Sequence, residues 1–149
     1  MDYMCNNNNE TNSCQCIAEI LTVISILQQN ANCCSDACLD TCDRGFLGCS
    51  TTTLGCNTRP IMLYTCCANA STPLTMPTSK EDVAGTTTSS VFRVEKIDGC
   101  CATFRVLAPN TDETAAATIP YVATNSFFTV NLNCVCCLRC LQDTFVECI

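Results

Sequence analysis

Cysteine is the residue type with which this chain could do chemistry. Its 149 residues include 18 cysteines and no histidine. Catalysis by a Ser-His-Asp or Cys-His arrangement needs imidazole as the general base, so the composition excludes it. We expect no catalytic residue and no enzymatic activity. The function must then be sought in what thiols do, which is to form disulfides or to bind soft metal ions.

Eight of the cysteines form four adjacent pairs. Neighbouring Cα atoms lie about 3.8 Å apart, closer than the roughly 4.4–6.8 Å of a disulfide, so the two members of a pair are poorly placed to bond each other. On a strand they point to opposite faces. One member then faces the core as a small hydrophobe, and the other faces outward and is free to cross-link. The pairs are Cys33-Cys34, Cys66-Cys67, Cys100-Cys101 and Cys136-Cys137.

The cysteines exceed what folding requires. Disulfide-dense scaffolds are usually short secreted chains that lack a sufficient core, whereas 149 residues of which 48% are hydrophobic can bury one. We predict intermolecular disulfides at the N-terminal arm and the chain ends, where a flexible setting lets a side chain reach a neighbour: Cys5, Cys14, Cys16 and Cys148. The other candidates for cross-linking or burial are Cys33, Cys34, Cys38, Cys42, Cys49, Cys56, Cys66, Cys67, Cys100, Cys101, Cys134, Cys136, Cys137 and Cys140.

Metal binding is the alternative. Cys14-Gln15-Cys16 and residues 134–140 contain the C-x-C and C-x-x-C spacings of zinc thiolate sites, but no pair of well-spaced C-x-x-C knuckles occurs. Cys137-x-x-Cys140 follows no βαβ pattern, so a thioredoxin-like activity is not expected. A zinc-binding or metallothionein-like protein stays open as the second function, and we assign no cofactor and no metal ligand.

The charges argue against two classes of partner. Fourteen acidic residues against seven basic ones give a formal charge of −7, and the basic residues are scattered rather than gathered into the patch that nucleic acid requires. An anionic membrane is an equally poor partner, and no segment approaches the ~18–20 apolar residues of a membrane span. Residues 1–6 include no basic side chain, so we expect no secretory signal. In a reducing cytosol the thiols would stay free until the compartment changes.

A single domain, residues 1–149, is expected to position the cysteines. Residues 1–16 are polar and asparagine-rich and predict a flexible arm. The apolar residues that follow recur at i, i+3, i+4, i+7 and i+10, which predicts an amphipathic helix over about 14–30. These apolar residues are Ile17, Ile20, Leu21, Ile24 and Leu27.

The rest of the chain has the patterns of β-structure. Residues 61–65 predict a short strand, and 68–90 should hold at least one more, because a structureless loop of that length is unusual. Asp98-Gly99 between two β-rich runs signals a hairpin, although a two-residue turn there does not pair the apolar positions cleanly. Residues 119–124 and 127–132 predict further strands. We expect a compact antiparallel β-sandwich or barrel-like domain with one N-terminal amphipathic helix.

Five segments make the chain similar to a known family. They are NTRPIMLYT at 57–65, VFRVE at 91–95, CATFRVL at 101–107, TVNLNCVC at 129–136 and CLQD at 140–143. With these segments, in family order between about residues 14 and 143, the chain resembles the cysteine-rich spore coat and exosporium proteins of the CotY, CotZ and ExsY type from Bacillus-type endospore formers. It lacks the histidines of some members' N-termini, so no histidine–metal role is expected.

The resemblance implies a sporulation protein made in the mother cell. It implies self-assembly into hexamers and larger sheets, as an ordered hexagonal two-dimensional lattice reinforced by disulfides. The implied partners are the chain itself and paralogous coat or exosporium proteins, and the implied place is the spore surface: outer coat, crust or exosporium. Subunits would assemble in a reducing cytosol, and lysis of the mother cell would later expose the shell to oxygen.

Overall fold

The computed structural model describes residues 14–29, 56–66, 72–114, 116, 119–147 and 149. Within these ranges helix α1 precedes all the strands, and a short 3-10 helix, Leu132–Cys134, lies between the last two strands. The elements are α1 Gln15–Gln29, β1 Ile61–Thr65, β2 Met76–Pro77, β3 Thr88–Ser89, β4 Val91–Asp98, β5 Cys101–Pro109, β6 Tyr121–Asn131 and β7 Val135–Cys140.

Five strands form one sheet in the order β6-β5-β4-β1-β7, and β2 pairs with β3 in a separate two-stranded ribbon. Every neighbouring pair is antiparallel. The expected class, mainly antiparallel β with one N-terminal helix, is confirmed. The barrel-like alternative is wrong, because β6 and β7 lie at opposite edges with three strands between them. The core face of the sheet is buried by α1 and the β2–β3 ribbon, so the sheet can bury its apolar side chains without closing into a barrel.

Helix α1 packs its apolar side against that face. Leu21 and Ile24 are fully buried, and Ile17 and Ile20 are partly buried against the same core. This spacing places one stripe of the helix on the sheet, so the predicted helix and its buried face are confirmed. Among the described residues, no helix is long and apolar enough to cross a membrane.

Three phenylalanines from neighbouring strands form the aromatic part of the core. The ring of Phe92 on β4 lies edge-on to that of Phe128 on β6, with centroids 4.7 Å apart, and Phe104 on β5 stacks on Phe128 at 5.3 Å. Both arrangements suit the charge distribution of aromatic rings. Phe92 and Phe104 are fully buried, which fixes the register of the central strands.

A bulge at Glu95 resolves the difficulty in pairing the β4–β5 hairpin. Val94 pairs with Phe104, but the next pairs are Lys96 with Thr103 and Ile97 with Ala102, so β4 has one residue more than β5. The extra residue returns the apolar side chains beyond it to the core face.

The turn of this hairpin lies one residue later than predicted. Asp98 pairs with Cys101, so the two turn residues are Gly99 and Cys100 rather than Asp98 and Gly99. Gly99 has a φ of 59°, which glycine adopts without a steric penalty. The bulge and the shifted turn together keep Ile97 and Ala102 on the same side as Phe92, Val94 and Phe104.

The region 68–90 contains the short strands that its length led us to expect, β2 and β3. The connection between them is organised by Asp82, whose carboxylate accepts hydrogen bonds from the backbone N–H groups of Gly85, Thr86 and Thr87 at 2.9–3.1 Å. The bond from the Thr87 N–H is the largest cause that lowers the pKa of Asp82 below its ordinary value. The loop is thus held by an ionised side chain.

The end of the chain extends the sheet. Residues 119–124 and 127–132 were predicted as two runs, and β6 spans both as one strand, Tyr121–Asn131. Beyond β7, Thr144 forms an isolated antiparallel bridge with Thr58. The Asn57 amide bonds both the N–H and the C=O of Val146 at 2.9 Å. The described C-terminal segment therefore lies beside the residues that precede β1.

Candidate cross-linking sites

A disulfide within the chain joins the start of the helix to the central hairpin. Cys14 directly precedes α1 and bonds Cys100 in the β4–β5 turn; their Cα atoms are 5.8 Å apart, and 86 positions separate them in sequence. Cys14 is only 4% exposed and belongs to the core. Closing so long a loop restricts the unfolded chain, by roughly 4–5 kcal/mol on the loop-entropy model. Cys14, predicted to bridge between chains, is here used to hold the fold.

Cys140 at the end of β7 is also disulfide-bonded. Its side chain is half-buried and packs against the core. Cys140 pairs across the sheet with the fully buried Ile61. This cysteine therefore serves the interior of the subunit.

Exposed free thiols lie on several separate elements. Cys16 lies on α1, Cys101 begins β5, and Cys136 and Cys137 lie on β7. The predicted intermolecular role of Cys16 is compatible with this exposure and stays a prediction. Of the other cysteines in the described part, Cys66 is exposed and Cys56 and Cys134 are half-buried.

The adjacent pair Cys100-Cys101 divides as predicted. Cys100 is half-buried in the disulfide and packs against the core, whereas Cys101 is exposed. Cys101 pairs with Asp98 on β4 and with Asn131 on β6, and its neighbour Ala102 is buried. Successive side chains of a strand point to opposite faces, so Cys101 lies on the sheet face away from α1.

The pair Cys136-Cys137 does not divide in this way, and the prediction of one inward and one outward member is wrong here. Both side chains are exposed. Tyr64 pairs with Cys137 and Thr65 pairs with Val135, so Cys136 is the extra residue of a bulge. The two core-side residues of β7, Val135 and Leu138, are consequently separated by two positions instead of one. In the sequence, this two-residue separation between Val135 and Leu138 was the one pattern that could have indicated the bulge.

We call the side of the main sheet opposite to α1 the outer sheet face. Cys101 and Cys137 both lie on it, since each alternates with a core residue. From the strand pairing it also includes Met62, Tyr64, Val91, Arg93, Glu95, Lys96, Asp98, Thr103, Arg105, Leu107, Ala123, Phe127, Thr129 and Arg139. Leu107 is fully buried, so that end of the face is covered within the subunit.

An ion-pair cluster occupies the centre of this face. Arg93 Nη1 donates to Glu95 Oε2 at 2.8 Å, and Arg105 Nε lies 3.2 Å from Glu95 Oε1. The Arg105 guanidinium also lies 4.7 Å from the centre of the Phe127 ring, a cation–π contact. The bulge at Glu95 brings its carboxylate between the two arginines. Sequence patterns did not indicate this cluster, because it depends on the register of three strands.

Several predicted site residues lie outside the described residues: Cys5, Cys33, Cys34, Cys38, Cys42, Cys49, Cys67 and Cys148. Residues 1–13 of the predicted arm lie outside them too, whereas Gln15 and Cys16 belong to α1. Across the described ranges, no group of three or more Cys, Asp or Glu side chains is arranged to hold a metal ion.

Comparison with known proteins found one family. A family model described as Spore coat protein Z matches residues 4–143. No curated protein and no solved structure matches the chain. The matched range includes α1 and all seven strands of the described part, and it confirms the resemblance drawn from the sequence. The chain therefore belongs to the spore coat protein Z family and has a structural role in the coat at the spore surface.

Proposed function

We propose that the chain is a non-enzymatic subunit of the spore outer coat or of the basal layer of the exosporium. It assembles with copies of itself, as hexamers and larger sheets, into an ordered hexagonal two-dimensional lattice. Disulfides between subunits then reinforce this lattice. Paralogous coat or exosporium proteins are its further partners.

The observation that carries this proposal is the position of the exposed free thiols on two sides of the subunit. Cys16 lies on α1, which covers the core face, whereas Cys101 and Cys137 lie on the outer sheet face. Thiols on one side alone would limit cross-links to neighbours that meet that side. Thiols on two sides allow cross-links to extend through a layer.

The cysteines thus divide by role. Cys14 and Cys100 close the fold internally, and the exposed thiols remain for bonds between chains. Of the four cysteines first assigned to cross-linking, Cys16 keeps that assignment together with Cys5 and Cys148. Cys101, Cys136 and Cys137 join them because of their exposure.

Each cross-link is an oxidation. Two thiols from neighbouring chains form one S–S bond and lose two electrons and two protons, and dioxygen accepts both and becomes hydrogen peroxide. The mother-cell cytosol keeps thiols reduced, so non-covalent assembly comes first. The covalent step follows when lysis admits oxygen.

Strand β6 favours non-covalent assembly at the edge of the sheet. It is 11 residues long and contains neither proline nor a charged residue, which are the usual means of blocking an exposed edge. Val122 and Phe127 on this strand are exposed. Within the described residues β6 pairs on one side only, with β5.

Electron microscopy of the purified protein, with and without dithiothreitol, tests the proposed function. We expect ordered sheets or large oligomers in both conditions, and resistance of the sheets to denaturant only after oxidation. A protein that stays monomeric in both conditions is not a self-assembling subunit, and the proposal is then wrong.

A variant set tests the assignment of the cross-links. Combining Cys16→Ser, Cys101→Ser, Cys136→Ser and Cys137→Ser should reduce the ladder of covalent multimers on a non-reducing gel to those joined through Cys5 and Cys148, while sheets still form. The matched control combines Cys14→Ala with Cys100→Ala, which removes a disulfide but no exposed thiol, and it should keep the ladder. An unchanged ladder in the fourfold variant would place the bridges at other cysteines.

A further inference from the structure

We propose that the outer sheet face is a docking surface for a second copy of this chain, and that it recognises the acidic surface of that copy. The inference rests on the proposed self-assembly and names one contact through which it occurs. It involves no covalent step.

The outer sheet face has a net positive charge, whereas the whole chain has a formal net charge of −7. Four cationic side chains lie on it, Arg93, Lys96, Arg105 and Arg139, against two acidic ones, Glu95 and Asp98. Of the other residues that the structure describes, two are basic and seven are acidic: Arg59 and Lys80, against Glu19, Glu81, Asp82, Asp112, Glu113, Asp143 and Glu147. A positive face on a strongly acidic subunit attracts another copy of the same subunit.

Among the described residues, the centre of the face has two guanidinium groups and one carboxylate, and Arg93 Nε also donates to the Thr58 hydroxyl at 3.0 Å. Glu95 is shared between Arg93 and Arg105, so one carboxylate serves two guanidinium groups. Arg93 and Arg105 are direct partners across the β4–β5 pair, where like charges repel unless a counter-charge is present. Arg93 and Arg105 are only 12% and 20% exposed, so the cluster contributes its net charge to the face, and a carboxylate of a second copy meets the exposed Lys96 and Arg139.

Two further cationic side chains around this centre are exposed to solvent. Lys96 on β4 and Arg139 on edge strand β7 are exposed. Phe127 on the other edge strand, β6, is 46% exposed and lies beside Arg105. An apolar ring among cationic side chains is typical of a protein contact surface, where aromatic residues and arginine are enriched.

The sign of the charges decides the geometry of the contact. Two outer sheet faces would repel each other, so a symmetric face-to-face dimer is disfavoured. The basic face of one copy instead contacts an acidic region of the next copy, which is a head-to-tail contact. Each such pair still has one basic face and one acidic region unoccupied, so further copies can add until the assembly closes into a ring or extends as an open array. An exposed carboxylate suited to this role lies in the β5–β6 connection, at Glu113.

Charge reversal tests this contact without touching the ion-pair cluster. The double variant Lys96→Glu and Arg139→Glu changes exposed side chains only. The control Lys80→Glu reverses one exposed charge on the β2–β3 connection, whose contact with the sheet is at Asn125 of edge strand β6. Circular dichroism establishes that each variant is folded. In dithiothreitol, which leaves only non-covalent assembly, the double variant should need about tenfold or more protein for half-assembly, whereas the control should stay within about twofold of the wild type.

Salt provides a second readout on the wild type. Raising the ionic strength from about 0.1 M to about 1 M shortens the screening length from roughly 10 Å to 3 Å. Assembly by an electrostatic contact should weaken over this range, and the residual assembly of the double variant should respond much less.

Alkylation of the reduced protein locates the contact. In assembled wild-type protein, Cys101 and Cys137 on the outer sheet face should react with iodoacetamide several-fold more slowly than in dilute monomer. Cys16 on α1 is the comparison, and its rate should fall less than the rates of Cys101 and Cys137. Mass spectrometry of peptides measures all three rates.

The outcomes separate this inference from the proposed function. If the double variant assembles as readily as the control and Cys101 and Cys137 stay as reactive as Cys16, the docking surface is wrong while self-assembly stands. If the wild type never assembles, both are wrong.

Discussion

Arg59 and Asp143 form a bidentate ion pair that links the C-terminal segment to the residues before β1. Arg59 Nε lies 2.7 Å from Asp143 Oδ1, and Nη2 lies 2.8 Å from Oδ2. The Arg59 side chain is only 3% exposed. Both residues lie in segments that carried the family resemblance, NTRPIMLYT and CLQD, so the pairing gives those segments a physical reason to occur together.

Breaking this pair should destabilise the subunit. Asp143→Asn leaves the buried Arg59 guanidinium without its counter-charge, and a loss of about 3 kcal/mol in the free energy of unfolding is expected. Urea unfolding followed by circular dichroism measures it. Asp98→Asn, the same change at an exposed aspartate, is the control and should shift stability by less than about 0.5 kcal/mol. Equal effects of the two substitutions would contradict a special role for the pair.

Gln28 should be as important to stability as an apolar core residue. Its side-chain amide donates to the Val94 carbonyl at 3.0 Å and accepts the Arg59 N–H at 3.1 Å. β1 pairs with β4 only at Ile61 and Phe92, so these two backbone groups depend on the helix for a partner. Gln28→Ala leaves both unpaired, which should cost about 2–4 kcal/mol.

The neighbouring residue provides a matched control for Gln28. Gln29→Ala makes the same change at an exposed position of α1 and should alter the unfolding free energy by less than about 0.5 kcal/mol. Urea unfolding of both variants in reductant separates this effect from that of the disulfide. A Gln28→Ala variant as stable as Gln29→Ala would show that the two bonds contribute little.

The Cys14–Cys100 disulfide should stabilise the subunit only under oxidising conditions. Cys14→Ala should then lower the free energy of unfolding by about 2–5 kcal/mol, because the unfolded chain regains the freedom of an 86-residue separation. In dithiothreitol the difference should shrink to the packing loss of one small side chain. Cys16→Ser, at an exposed thiol of α1, should be neutral in both conditions. A Cys14→Ala effect that persists unchanged in reductant would argue against the bond.

Asp82 predicts a pH dependence for the β2–β3 connection. Because backbone hydrogen bonds from Thr87 and then Thr86 lower the pKa of this carboxyl, its ionised form is favoured by the folded state. The stabilisation is therefore present above the pKa of the unfolded chain and is lost as the pH falls through the lower, folded pKa. Asp82→Asn should have a lower urea midpoint than wild type at pH 7. The gap should narrow as the pH falls below the ordinary pKa of an aspartate, and it should close once wild-type Asp82 is protonated. A gap of constant size at every pH would contradict the assignment.

Local sequence patterns were sufficient to predict the helix and the hairpin. The apolar spacing from Ile17 to Ile24 identified α1 and its buried side, and the Gly99 turn marked the hairpin to within one residue. Both depend on neighbours a few positions away, which is the range over which helix and turn preferences act.

The two bulges escaped prediction for a physical reason. Whether Glu95 or Cys136 is an extra residue depends on the register that its strand adopts against another strand, and the burial of core side chains sets that register. One inserted residue changed the outcome for the chemistry, because it exposed both Cys136 and Cys137 and drew Glu95 between Arg93 and Arg105.

The sequence by itself determined the class of this protein. A surplus of cysteine without histidine excluded imidazole-dependent catalysis and indicated thiol chemistry, and the segments shared with spore coat proteins indicated the family. Only the tertiary structure decided which cysteine does what. Cys14 meets Cys100 across 86 positions because α1 docks on the hairpin, and Cys101 faces outward because its neighbour Ala102 is needed in the core. The role of each cysteine follows from packing between segments that are distant in the chain, and amino-acid composition contains no information about that packing.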